Sequence, residues 1–258
     1  MKEVYIAYFD FLGFKEFILK NDYKTLKIRM EHIFRDIEIC LGQGKYQDPI
    51  NGILLADISR SRLNCLNISD TVIFWTKNCE LNSLKELINV AYEFNWRENS
   101  YNFPLRGCIM KGKINEVTDK KINPMGGSYS VQCVYGKGII EANEKANCQN
   151  WAGTVVDKTI IEDLRIFGQI EFIKAITLKC NVPYKTNIEK VTENIEEYVF
   201  KIRKDYLNKT VLKNVLHSID VVFSQDNKSV DSESVKQKIE NTKKFILDTN
   251  KSHKYRKL

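Results

Sequence analysis

Apolar residues run unbroken over residues 4–9, and over 14–19 they recur at helical steps. A short, wholly apolar run reads as a strand covered on both faces, and the change of rhythm reads as a helix that follows it. Asp10 then ends the strand, and Gly13 breaks the chain before the helix. Leu26, Met30, Ile33, Phe34, Ile37 and Leu41 repeat at three- and four-residue intervals, predicting an amphipathic helix over 23–41 that Gly42-Gln43-Gly44 ends. A polar connection through Pro49 leads to an apolar run at 53–56, read as a strand. Residues 63–68 and 72–75 are strand-like and are separated by Ser69-Asp70-Thr71, so they predict a β-hairpin with Asp70 at its tip.

Residues 81–95 carry a helical stripe, 104–110 form a strand that Lys111-Gly112-Lys113 closes, and the polar, glycine-rich stretch 119–130 reads as a mobile hairpin or lid. A strand at 131–135, a helix from Gly136 to about Cys148, a strand at 154–156 and a helix at 158–164 follow, and 170–178 reads as the last strand. Interleaved strands and helices predict a mixed α/β layer with helices packed on a sheet. Beyond residue 187 the pattern becomes helical: Ile188, Val191, Ile195, Val199, Ile202 and Tyr206 form one stripe, and further helices are expected at 211–222 and 234–247. The expected organisation is a catalytic-type domain over 1–185 and an α-helical segment over 186–258 ending in the basic tail 251–258.

With 258 residues, 43% of them hydrophobic, the chain can bury a large core. Its net charge of +7 suits an anionic small partner but is too mild to demand nucleic acid. No secretory signal is visible and no apolar run approaches about twenty residues, so a cytoplasmic protein without membrane contact is expected. The seven cysteines are widely spaced and never form a Cys-x-x-Cys pair, which predicts reduced thiols. His32, His217 and His253 are scattered, which leaves zinc binding and histidine base catalysis without support.

The chemistry concentrates on Asp10 and Asp70. A carboxylate at a strand end can hold a divalent cation, and the amides of Leu12, Gly13 and Phe14 at the next helix start can hold phosphate oxygens. The plainer alternative is an aspartate that caps the helix. Two carboxylates from neighbouring turns make the minimum ligand set for two metal ions about 4 Å apart on a triphosphate.

Four motifs occur in order: Phe9-Asp10-Phe11-Leu12-Gly13-Phe14, Ile68-Ser69-Asp70-Thr71, the stretch from Leu105 and Arg106 to Gly112, and that from Tyr135 and Gly136 to Glu144. Together they resemble the class III nucleotidyl cyclases over about residues 1–180, most nearly the pyrimidine cyclases of bacterial Pycsar antiphage systems. The resemblance implies a ferredoxin-like mixed sheet flanked by helices, with a helical C-terminal appendage. It implies two Mg²⁺ or Mn²⁺ ions on Asp10, Asp70 and the Phe11 carbonyl, and a triphosphate on the amides of Leu12, Gly13 and Phe14. The implied reaction is attack of a ribose 3′-hydroxyl on the α-phosphorus, giving a 3′,5′-cyclic monophosphate and pyrophosphate. Leu66 and Cys133 stand where purine-specific members place a base-selecting lysine and aspartate, which implies a pyrimidine: UTP, with CTP as the alternative. Ile140 or Glu141 and Glu144 or Lys145 stand where an asparagine and a transition-state arginine are usual, so Lys145 is the candidate replacement. Arg106, Lys111, Lys113 and Lys174 are further candidate phosphate cations, with Arg106 alternatively pairing a core carboxylate. A homodimer with shared sites is implied, as is a product that acts on a separate effector protein. Two other classes remain open on the residues alone: an inactive cyclase-like nucleotide-binding module, and a polymerase-palm relative that joins nucleotides.

Overall fold

The computed structural model describes residues 1–49, 51–185, 196–203 and 205–255. Strand β1 (Lys2–Phe11) is its centre, because both of its faces are covered. Tyr5, Ala7, Phe9 and Phe11 enter one core, and Val4, Ile6 and Tyr8 enter another on the opposite face. Asp10 is the next residue on the Val4–Ile6–Tyr8 face. Helix α1 (Phe14–Lys20) follows, then α2 (Tyr23–Gly42), whose N-cap Asp22 accepts from the Thr25 amide at 2.8 Å. The buried stripe of α2 is Ile33, Ile37 and Cys40, and Phe34 is 47% exposed.

Strands β2 (Asn64–Ile68) and β3 (Thr71–Trp75) form the expected hairpin, with Ser69 in the left-handed region at φ 55°. Helix α3 (Leu81–Tyr101) packs on the first core and runs beyond its expected end. Strand β4 (Leu105–Ile122) and strand β5 (Ser128–Tyr135) are joined by a turn in which the Asn123 side chain accepts from the Gly127 amide at 2.9 Å. Then come α4 (Lys137–Cys148), β6 (Gly153–Val156), α5 (Lys158–Ile166), α6 (Ile170–Ile176), β7 (Thr177–Asn181), β8 (Glu196–Phe200), α7 (Lys209–Ser224) and α8 (Glu233–Tyr255). The sheet order is β2-β3-β1-β4-β6-β8-β7, with β5 paired to β4. Pairings are antiparallel except for β4 with β6. Helices flank the sheet, as the sequence predicts for a mixed α/β fold.

Four expectations are corrected. Residues 53–56 form no strand of the sheet: they make isolated bridges, among them Tyr46 with Ala56, and a hydrogen bond from the Gln47 amide to the Leu55 carbonyl at 2.9 Å, and Ile53 is 61% exposed. Lys111-Gly112-Lys113 does not end β4. Gly112 serves close packing instead: a Cβ there would stand 2.7 Å from the Gly138 Cα, so α4 lies directly on the strand. Residues 170–178 divide into a helix that buries Ile173 and a strand that pairs with β8, a division an apolar run cannot specify. Val199 lies in β8 between β6 and β7 rather than on a helix, while Ile188, Val191 and Ile195 fall outside the described residues.

A third core joins the C-terminal helices to the sheet, with Val215, Ile219 and Phe223 of α7 and Ile239, Phe245 and Ile246 of α8 packed on Leu12, Trp151 and Val155. Among the described residues no helix is long and apolar enough to cross a membrane.

Candidate active site

The local fold brings the two aspartates together. Asp10 lies opposite Thr71 of β3 on one side and opposite Arg106 of β4 on the other. The Phe11 amide donates to the Asp70 carbonyl oxygen at 2.8 Å, tying the β2–β3 turn to the end of β1. Asp10 is partly buried, and burial raises its pKa above the usual carboxylate range; Asp70 adds to the rise, while Arg106 and Lys185 oppose it.

Arg106 is the nearest partner of Asp10, its Nε and Nη2 each 2.8 Å from Oδ2. The same guanidinium grips α4 through the Asn147 carbonyl at 3.1 Å and the Asn147 side chain. Asn147 in turn donates to Asn143, whose Oδ1 accepts from the Tyr8 hydroxyl at 2.9 Å. Lys185 Nζ donates to the Asn147 carbonyl at 2.6 Å. A continuous polar network thus spreads from Asp10 over the face that α4 covers.

The remaining candidates divide. Leu66 sits on that same face, in the cross-strand row Leu66–Ile73–Tyr8. The Leu12 amide is spent on the Pro104 carbonyl at 2.7 Å, so it cannot serve phosphate, and Gly13 and Phe14 supply the amides at the helix start. Gly13 has φ 79°, and Lys228 covers it, with Cδ 2.9 Å from where a Cβ would stand. Lys145 is turned away. It is held between Asp157 and Glu197, at 2.5 Å from each, and these carboxylates raise its pKa although burial opposes the charge. Lys174 is on α6, whose Ile173 joins the opposite core, and it pairs with Glu171 at 2.5 Å. Lys111 pairs with Asp163 at 3.1 Å. Cys133 is exposed on β5 opposite Val117, roughly 35 Å along β4 from the register of Asp10.

Sequence reasoning missed Tyr8, Asn143, Asn147 and Lys185. The one available signal was the pair Asn143 and Asn147, one turn apart beside the buried small residues Ala142 and Ala146.

Among the described residues no group of three or more His, Cys, Asp or Glu side chains could hold a metal ion. Divalent ions at Asp10 and Asp70 would therefore lean on the Phe11 carbonyl, substrate oxygens and water, a ligand set that suits Mg²⁺ or Mn²⁺.

No protein-family model matches the chain, and no curated protein matches it in sequence. Solved structures do match its fold. The guanylate cyclase domain of RhGC from Catenaria anguillulae, solved with GTP, aligns over 79% of this chain and 98% of its own, with TM-score 0.51 and 10% identity. The dimeric guanylyl cyclase domain of the RhoGC fusion protein from Blastocladiella emersonii aligns over 78% and 96%, with TM-score 0.51 and 10% identity. The catalytic core of a rhodopsin-guanylyl cyclase with converted specificity, solved with ATPαS, aligns over 78% and 96%, with TM-score 0.52 and 10% identity. The fold is that of class III nucleotidyl cyclase domains.

Proposed function

We propose that this chain is a nucleotidyl cyclase acting on a pyrimidine nucleoside triphosphate, UTP first and CTP as the alternative. The 3′-oxygen bonds to the α-phosphorus, the bond from that phosphorus to the β-phosphate bridging oxygen breaks, pyrophosphate leaves with the electron pair, and the hydroxyl proton passes to water. The observation that carries this reading is the union of Asp10 and Asp70 where β1 ends and β2 turns into β3, in a cyclase-type fold, fastened by the Phe11–Asp70 hydrogen bond. Asp10, Asp70 and the Phe11 carbonyl would hold two Mg²⁺ or Mn²⁺ ions. Bound there, the ions would supply Lewis acidity towards the hydroxyl and the phosphoryl oxygens. Arg106 keeps the Asp10 carboxylate oriented, and Gly13 and Phe14 offer amides to phosphate oxygens.

Leu66 supports the choice of a pyrimidine, since an aliphatic side chain on the site face offers no hydrogen bond for a purine edge. Cys133 can reach a base only from a second copy, which supports a homodimer with two shared sites. The likeness in motif order to Pycsar enzymes supports a second messenger that acts on a separate effector in antiphage defence.

A second reading, a nucleotide-binding module without turnover, draws on the Arg106–Asp10 pair and on Lys145 being consumed elsewhere. One experiment separates them: incubation with Mn²⁺ or Mg²⁺ and each ribonucleoside triphosphate in turn, with products identified by mass spectrometry. A cyclic pyrimidine monophosphate, lost in Asp10→Ala and Asp70→Ala, is expected. A cyclic purine would overturn the assignment of Leu66 and Cys133, and turnover unchanged in both variants would overturn the metal assignment.

A further inference from the structure

Arg106 and Lys185 lie beside Asp10 and a third cation, Lys238, lies beside those two; among the described residues only Arg106 of the three has a carboxylate partner. Lys185 Nζ donates to the Asn147 carbonyl at 2.6 Å, the same oxygen that Arg106 Nη1 reaches at 3.1 Å. A carbonyl oxygen satisfies a donor without neutralising its charge, so two positive groups share one neutral acceptor. The third cation comes from α8. Asn241 donates to the Asn150 carbonyl at 2.8 Å, and the Thr242 hydroxyl accepts from the Ala152 amide at 2.9 Å. These bonds seat α8 on the segment that follows α4. That segment is tied to the stretch after β7 that carries Lys185, by Asn150 N to Pro183 O at 2.7 Å and Lys185 N to Cys148 O at 2.8 Å.

Lys238 lies one turn before Asn241 and Thr242 on the docked face of α8. Among the described residues its Nζ bonds only within its own helix, to Ser234 Oγ at 2.6 Å and Ser234 O at 3.1 Å. Burial, with the charges of Lys185 and Arg106 close by, holds it below the usual lysine range. Like charges brought together cost free energy that a bound polyanion would recover. Helix α4, meanwhile, supplies no cation here, because Lys145 is locked between Asp157 and Glu197.

We propose that α8 is part of the substrate site: Lys238 and Lys185 receive the polyphosphate tail of the nucleoside triphosphate whose α-phosphate end meets Asp10 and Asp70. This rests on the triphosphate reading of the site. It replaces, within the same chain, the charge that α4 lacks, and it gives the C-terminal helices a role in binding.

The test is calorimetric binding of inorganic tripolyphosphate to the full chain without added divalent ion. Lys185→Ala and Lys238→Ala are each expected to weaken binding about tenfold, the loss of one charge-assisted contact. Lys238→Arg restores most of it, and Lys236→Ala, on the exposed side of α8, leaves it unchanged. Absence of binding by the wild type, or equal binding by wild type and both alanine variants, overturns the proposal. Weakened binding by the variants with no cyclic product from any nucleotide upholds it and overturns the cyclase reading. Cyclic product formed at unchanged KM by both variants does the reverse.

Discussion

Lys228 gives a prediction whose size follows from the structure. Its side chain is 6% exposed, crosses Gly13, and places Nζ 4.5 Å from the Phe103 ring centroid with no hydrogen-bond partner among the described residues. Burial lowers its pKa from 10.5 to about 8; Asp226 opposes the fall and Arg29 adds to it. A drop of that size costs the folded state about 3 kcal/mol wherever the lysine is protonated in both states. The cost is therefore fully present below about pH 8. As the pH rises from there towards 10.5, the folded chain releases the proton while the unfolded chain keeps it, and stability climbs. Lys228→Met keeps the length and the contact with Gly13 but removes the titration. Urea unfolding of both proteins from about pH 7 to about pH 10 isolates the effect, because other titrating groups cancel in the difference. The variant is expected to be more stable by about 1–2 kcal/mol near neutrality, the cation–π contact being part of what it loses. That advantage should shrink and reverse by about pH 10. A difference between the two proteins that does not change with pH would refute the reasoning.

Three further outcomes follow. Lys145→Met should lower stability by about 3 kcal/mol, because Asp157 and Glu197 then face each other without their cation, while tripolyphosphate affinity stays as in the wild type; thermal unfolding and calorimetry check both halves. Gly112→Ala should cost about 2 kcal/mol by pushing α4 off β4, where a Cβ meets the Gly138 Cα at 2.7 Å, and should weaken the hold of Asn143 and Asn147 on the site, visible as lower turnover alongside a lower Tm. Because Asp10 must be ionised to hold a cation and burial raises its pKa in the metal-free chain, Mn²⁺ affinity should weaken on acidification from a pH above the ordinary aspartate range; an affinity that stays unchanged down to about pH 4 would contradict this.

The sequence by itself determined what local periodicity and turn chemistry control. The unbroken apolar run of β1, the hairpin that ends in Asp70, the amphipathic stripe of α2 and the start of α4 at its glycines were all legible, and with them the pairing of Asp10 with Asp70. What tertiary structure decided was the partner of each charged and each ambiguous residue. Lys145 and Lys238 are both lysines on amphipathic helices, and only the arrival of Asp157 and Glu197 beside one, and of Lys185 and Arg106 beside the other, separates a structural ion pair from a charge left open to a ligand. Residues 170–178 carry no period that distinguishes helix from strand; β7 forms at their end because β8 is there to pair with it. The sequence reads the Leu12 amide as one of three at a helix start open to phosphate, yet that amide is spent because Pro104 comes to lie opposite. Hydrophobic pattern is a property of neighbours in sequence, whereas hydrogen-bond and charge partners are properties of neighbours in space.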